Sequence, residues 1–143
     1  MYHYRKTYKK YAQKNKDDKQ KGTSCTFCHN ITHEQKAESN DTMQVVFNRV
    51  SYDVFEGRAV LDHLMIVPKR HVESLNDFTD QEKLDLMSLA GEYEAKGYNV
   101  YARGMGSITR SVKHQHTHLI KIKNGAKAKL IFYLQKPHFL INR

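Results

Sequence analysis

Apolar positions along this chain fall into short runs separated by polar stretches, and their spacing changes from run to run. Residues 43–47 (Met-Gln-Val-Val-Phe) read as a strand. Residues 64–67 (Leu-Met-Ile-Val) read as a second, continuously apolar strand ended by Pro68. Leu86, Leu89, Ala90 and Tyr93 then recur at the spacing of a core-facing helix. That helix opens on a capping box, with Thr79 as N-cap and Glu82 three residues on, and runs to about Lys96, where Gly97 stops it. Residues 98–102 read as a strand, 104–107 as a flexible loop and 112–123 as a longer strand. Between these, 25–33 form a Cys/His-rich loop or short turn, 34–42 a polar loop and 53–61 a hairpin or lid. Two further apolar segments, 130–134 and 138–141, read as a strand and an extended tail. Strands before and after one long helix predict an α+β fold, an antiparallel sheet with that helix on one face.

Composition narrows the class. A chain of 143 residues with 39% hydrophobic content supports one core, not two. No apolar run approaches the roughly 20 residues of a membrane span. The opening Met-Tyr-His-Tyr-Arg-Lys lacks the apolar core of a secretory signal, so a cytoplasmic protein is expected. Cys25 and Cys28 are too close to staple distant segments. A metal or redox role in a reducing compartment fits them better than a structural disulfide.

Charge adds an asymmetry. Residues 1–22 hold eight Lys or Arg against Asp17 and Asp18, a net +6 of the chain's formal +9. The segment reads as a basic N-terminal extension to a domain spanning 23–143. Tyr4, Tyr8 and Tyr11 at i, i+4, i+7 suggest one face of a short helix within it. Its lysines suit phosphate contacts to nucleic acid or an anionic surface, and equally suit a solvated extension. On that second reading, the extension is dispensable for chemistry on a small substrate.

The densest chemistry lies in the last long strand. His114-Gln115-His116-Thr117-His118, followed by Leu119-Ile120, puts three imidazoles on one face of an extended chain. An imidazole serves as nucleophile, acid, base or metal ligand near neutral pH, because its ordinary pKa is about 6.5.

That run resembles the signature of the histidine triad superfamily, His-φ-His-φ-His-φ-φ with φ apolar. Two more segments carry the resemblance. Residues 62–71 (Asp-His-Leu-Met-Ile-Val-Pro-Lys-Arg-His) look like the family's Gly-His-Leu-φ-φ-φ-Pro-Lys-x-His strand and turn. Ser24-Cys25-Thr26-Phe27-Cys28 looks like the Cys-x-x-Cys of its zinc-bearing bacterial branch. The departures are Gln115 and Thr117 at apolar positions, Asp62 for Gly, and a longer connection between Asn48 and His63.

The resemblance implies a nucleotide-binding hydrolase or nucleotidyl transferase acting at an α-phosphate through a covalent nucleotidyl-histidine. The substrate would be a nucleoside phosphate ester, amidate or dinucleoside polyphosphate. His116 matches the family's nucleophile, and His118 shares its face to hold a phosphate oxygen or donate to the leaving group. Ser111 matches a hydroxyl that hydrogen-bonds the phosphate, and His63 a position that supports the triad. Asn48, in Asn-Arg-Val-Ser-Tyr-Asp, resembles the residue that holds the ribose hydroxyls, with Ser51 where the family has Pro. Arg103 and Arg110 flank the loop where the family has amides, and a guanidinium fork suits phosphate or solvent. Cys25, Cys28, His71 and His114 form the implied structural zinc site, with His29 and His33 as nearer alternatives and a redox pair as another reading. The family often dimerises, so a homodimer is expected. The alternative function is a non-catalytic nucleotide-sensing or nucleic-acid-binding module.

Overall fold

In the computed structural model, residues 3–20, 25–29 and 31–127 are described. Helix α1 (Arg5–Gln20) and the short helix α2 (Thr26–His29) precede strands β1 (Lys36–Ser39), β2 (Met43–Phe47), β3 (Val54–Phe55) and β4 (Arg58–Pro68). Helix α3 (Asp80–Ala95) follows, then β5 (Asn99–Ala102) and β6 (Thr117–Lys127). The strands form one antiparallel sheet in the order β1-β2-β4-β6-β5, with β3 pairing on β4.

The helix is where the sequence puts it. The Thr79 side chain accepts the Glu82 backbone N–H, and the Glu82 carboxylate reaches back to the Thr79 N–H at 2.8 Å. Gly97, with φ of +84°, ends the helix in the left-handed conformation that a side chain would strain. Leu89, Ala90 and Tyr93 are buried against Met43, Val45, Leu64, Ile66 and Leu119, with Leu86 half-buried beside them. This makes the main core between α3 and one sheet face.

Alternation along the strands then decides what lies on the other face. On β4, Leu64 and Ile66 point at the helix, so His63, Met65 and Val67 point away. On β6, Leu119 points at the helix, so His118 and Ile120 point away. The register pairs Met65 with His118 and His63 with Ile120, which puts His63 and His118 on the same helix-free face.

Three expectations change. Residues 34–42 are not only loop: His33–Gln35 form a 3-10 turn, and Lys36–Ser39 pair with β2 as an edge strand. The second strand is eleven residues long, because its start at Arg58 closes a hairpin with β3. Glu56 and Gly57, both at positive φ, make its two-residue turn. The last strand begins at Thr117, so His114 lies in a bend and His116 in the segment leading into the strand. The apolar segments 130–134 and 138–141 lie outside the described residues.

Candidate active site and metal centre

His63, His116 and His118 meet on the helix-free face, all buried. The hydrogen bonds assign each ring's proton. The Tyr52 backbone N–H donates to His63 Nδ1 at 3.1 Å, so the His63 proton sits on Nε2. His63 Nε2 lies 2.9 Å from His118 Nδ1 and donates to it, which leaves the His118 proton on Nε2. That Nε2 is buried with no hydrogen-bond partner among the described residues. His116 Nδ1 lies 2.9 Å from the His114 carbonyl and donates to it, leaving Nε2 with its lone pair. The His116 and His118 rings are edge to face with centroids 5.0 Å apart.

Burial dominates the protonation of all four imidazoles. It holds His63 down to about 3, His118 down to about 2 and His114 down to about 4, and it lowers His116. The positive charges of Arg103 and Arg110 add to the effect at His116. The cluster is therefore neutral at physiological pH.

The flanking residues divide by what holds them. The Asn48 side-chain nitrogen lies 3.3 Å and 3.2 Å from the two nitrogens of His63, and its oxygen accepts the Val50 N–H at 3.1 Å. Arg103 donates to the Tyr52 hydroxyl at 2.8 Å and to the Thr109 carbonyl, spanning the two loops beside the triad. Arg110 is a backbone clamp, donating to the carbonyls of Val112 (3.2 Å), Glu73 (2.5 Å) and Lys113. Ser111 is exposed in the loop that leads into the triad.

Two aromatics, neither of them a candidate from the motifs, complete the site. Tyr52 packs on His63 at 4.5 Å and His118 at 5.6 Å between ring centroids, and Phe27 packs on His116 at 5.2 Å and His114 at 5.6 Å. Tyr52 stands inside the Asn48–Asp53 segment and Phe27 between the two cysteines, so both were within reach of the motifs.

The second cluster adjoins the first through His114. The ligand atoms of Cys25, Cys28, His71 and His114 all lie within 4.8 Å of one another, and the group could hold a metal ion. His114 Nδ1 is 3.4 Å from Cys25 Sγ and 3.5 Å from Cys28 Sγ, while His71 Nδ1 is 3.3 Å from Cys28 Sγ. Bonds of 2.0–2.3 Å in a tetrahedron give ligand–ligand edges of about 3.5 Å, so the donor set fits a tetrahedral ion. His114 Nε2 donates to the Pro68 carbonyl at 3.0 Å, which frees Nδ1 as a lone-pair donor toward the sulfurs. Desolvation, then the hydrogen bond and charge of Cys25, push the Cys28 thiol up to about 11. Cys28 without a metal thus keeps its proton, and a divalent cation bound here would favour its thiolate. His29 and His33 are outside this cluster.

Comparison with known proteins agrees with this fold. The HIT domain family model matches residues 59–125, which include His63, His71 and all three triad histidines. A HIT family hydrolase from Clostridium thermocellum is 17% identical with a TM-score of 0.54, covering 73% of this chain and 96% of that one. A diadenosine triphosphate hydrolase from Plasmodium falciparum is 14% identical with a TM-score of 0.53, covering 69% and 68%. A zinc-bound histidine triad family protein from Mycobacterium smegmatis is 18% identical with a TM-score of 0.52, covering 71% and 77%. The molecule has the fold of histidine triad proteins. The chain carries a HIT domain, and its Cys/His cluster is compatible with the zinc-bearing branch of that family. No described helix is long and apolar enough to cross a membrane.

Proposed function

We propose that this protein binds a nucleotide and cleaves at its α-phosphate, as a hydrolase or nucleotidyl transferase, through a covalent intermediate on His116. The observation that carries the reading is the directed pair of nitrogens: a lone pair on His116 Nε2 beside a buried, partnerless N–H on His118. His116 Nε2 attacks phosphorus and the bond to the leaving group breaks, with the His118 N–H donating a hydrogen bond to a phosphate oxygen or to the departing atom, which takes its proton from solvent. Water then attacks the nucleotidyl-histidine, releasing the nucleoside monophosphate and regenerating the neutral ring. Burial suits the first step, since only a neutral imidazole is a nucleophile.

His63 supports His118, Asn48 and Ser111 contact ribose and phosphate, and Arg103 and Arg110 supply positive field at the transition state. The substrate class is a nucleoside phosphate ester, amidate or dinucleoside polyphosphate, and the hydrolase names of two fold neighbours agree with it. Zinc on Cys25, Cys28, His71 and His114 would be structural, closing all four positions with protein donors and tying α2 to the triad segment. A reducing, cytoplasmic setting suits those thiolates. A homodimer would cover the open sheet edge at β5 and the exposed Leu84 and Met87 of α3. The lysine-rich α1 favours a second reading, a nucleotide-sensing or nucleic-acid-binding module without turnover.

Nucleoside monophosphate release from a panel of adenosine and guanosine phosphoramidates and dinucleoside polyphosphates tests the proposal. Turnover of at least one substrate by the parent, and none by His116→Ala, is expected. Nucleotide binding without turnover across the panel would favour the second reading.

A further inference from the structure

The N-terminal arm is docked at the site. The Tyr4 backbone N–H donates to Asp53 Oδ2 at 2.7 Å, and the Thr7 hydroxyl donates to Asp53 Oδ1 at 3.1 Å. Both carboxylate oxygens therefore sit at the start of α1, where unpaired N–H groups and the helix dipole favour a negative charge. His3 continues the contact, with its ring 5.3 Å from Tyr52 and its Nδ1 3.8 Å from Asp53 Oδ2. The arm thus grips residues 52 and 53, while the Asp53 carbonyl accepts the Val60 N–H at 3.0 Å from the hairpin behind.

What is gripped matters for the histidines. The Tyr52 N–H is the donor that keeps the His63 proton on Nε2, and the Tyr52 ring lies against both His63 and His118. If residues 52 and 53 move away and carry the Tyr52 N–H with them, His63 can carry its proton on either nitrogen. The hydrogen bond to His118 can then run in reverse, with His118 Nδ1 as donor. That reversal replaces the N–H on His118 Nε2 with a lone pair, which repels a phosphate oxygen where the N–H would attract it.

We infer that Thr7, Asp53 and His3 form a latch by which the N-terminal arm holds Tyr52 in place and fixes the proton positions of the His63–His118 relay. They are positioning residues for the reaction proposed above, and their place in catalysis rests on that reading. The basic extension on this account is a working part of the site, beyond the reach of the motifs that announce the domain.

The test uses the full-length chain labelled with nitrogen-15 at histidine, in parent, Asp53→Ala, Asp53→Asn and Thr7→Val forms. Two-bond proton–nitrogen spectra read which ring nitrogen of His63 and His118 carries the proton, whether or not the protein turns anything over. In the parent, both rings should be Nε2–H. Asp53→Ala should convert them to a mixture and lower kcat by about 10-fold, the lower end for a residue supporting a site ligand, with KM little changed. Asp53→Asn keeps an oxygen acceptor for the Tyr4 N–H and should recover most of both signals. Thr7→Val removes one of the two bonds and should shift the rings in the same direction, which covers the case in which Asp53→Ala fails to fold. Parental Nε2–H spectra in every folded variant would overturn the latch. A parent without turnover whose rings still shift in the variants would sink the proposed reaction and leave the latch standing.

Discussion

His63 and His118, 55 residues apart in the chain, face each other across β4 and β6 with Nε2 and Nδ1 separated by 2.9 Å. The contact gives the triad its polarity. It uses the proton of His63 to occupy one nitrogen of His118, so the other must present an N–H. His63 is in turn oriented by the Tyr52 N–H and the Asn48 amide. A three-residue pattern at the entry to β6 thus depends on a side chain in the neighbouring strand and a backbone group in a loop.

Replacing His63 should lower turnover without abolishing nucleotide binding. His63→Ala removes the donor to His118 Nδ1 and frees the proton to move there. A loss of roughly 10–100-fold in kcat is expected, the range for a residue that orients a site ligand. Steady-state kinetics and nucleotide titration of the same preparation check this. Unchanged kcat would mean that the relay has no part in the reaction.

The cluster of Cys25, Cys28, His71 and His114 should carry about one zinc per chain. Metal analysis of a Cys25→Ser/Cys28→Ser double variant should show the metal lost, and its Tm should fall, because binding free energy at such a site is folding free energy. Because His114 belongs to the cluster and its carbonyl holds His116 Nδ1, loss of metal should also disturb the triad. Full metal retention in the double variant would exclude the cysteines. Loss on His33→Ala but not on His71→Ala would move the site into residues 25–33.

Acid should destabilise the protein well above the carboxylate range. The folded state holds His63 and His118 neutral, at about 3 and about 2, whereas both titrate near 6.5 in the unfolded chain. As pH falls below 6.5, the unfolded chain gains protons that the folded state refuses, so stability declines with falling pH down to the folded values. Glu82, lowered first by its hydrogen bond from Arg70, adds a loss in the same direction below its ordinary range. Melting at pH 7.5 and pH 5 should therefore give the lower Tm at pH 5. An equal or higher Tm at pH 5 would contradict buried neutral imidazoles.

Glu82 does more than cap. Its carboxylate accepts the Thr79 N–H and two bonds from Arg70, at 3.0 Å and 2.8 Å, holding the turn that precedes His71. Glu82→Ala should cost roughly 1–2 kcal/mol, the loss of a cap plus a charged hydrogen bond, and weaken metal retention. Denaturant unfolding and metal titration measure the two effects. An unchanged metal affinity would mean that the Arg70 turn does not position His71.

The elements that the sequence made legible carry their own local signal. Thr79 and Glu82 announce the start of α3 and Gly97 its end, and the apolar Leu64–Val67 run marks the central strand. The strand at Lys36–Ser39 carries no such signal: Lys-Ala-Glu-Ser is polar throughout, and it is a strand only because the open edge of β2 needs a partner. The start of the triad strand at Thr117 is also tertiary, since the Gln115 N–H goes to the Val72 carbonyl, away from the sheet ladder. The metal cluster was reachable through three motifs, although nothing local says that His71 returns to Cys28 across 43 residues. Arg110 shows the opposite limit. A guanidinium beside the triad reads as a phosphate ligand, and in the structure its donors go to three backbone carbonyls. Tyr52 and Asp53 gain their roles from contacts made by the arm and by His63, which spacing alone does not encode.

The central claim is that His116 becomes covalently nucleotidylated. An adenosine phosphoramidate radiolabelled at its α-phosphate, mixed with the protein and quenched under denaturing conditions, reports this directly. The parent should carry an acid-labile, base-stable label that maps to the peptide containing His116, and His116→Ala should carry none. Label retained by His116→Ala, or parent turnover of that substrate with no histidine adduct under single-turnover conditions, would contradict the account.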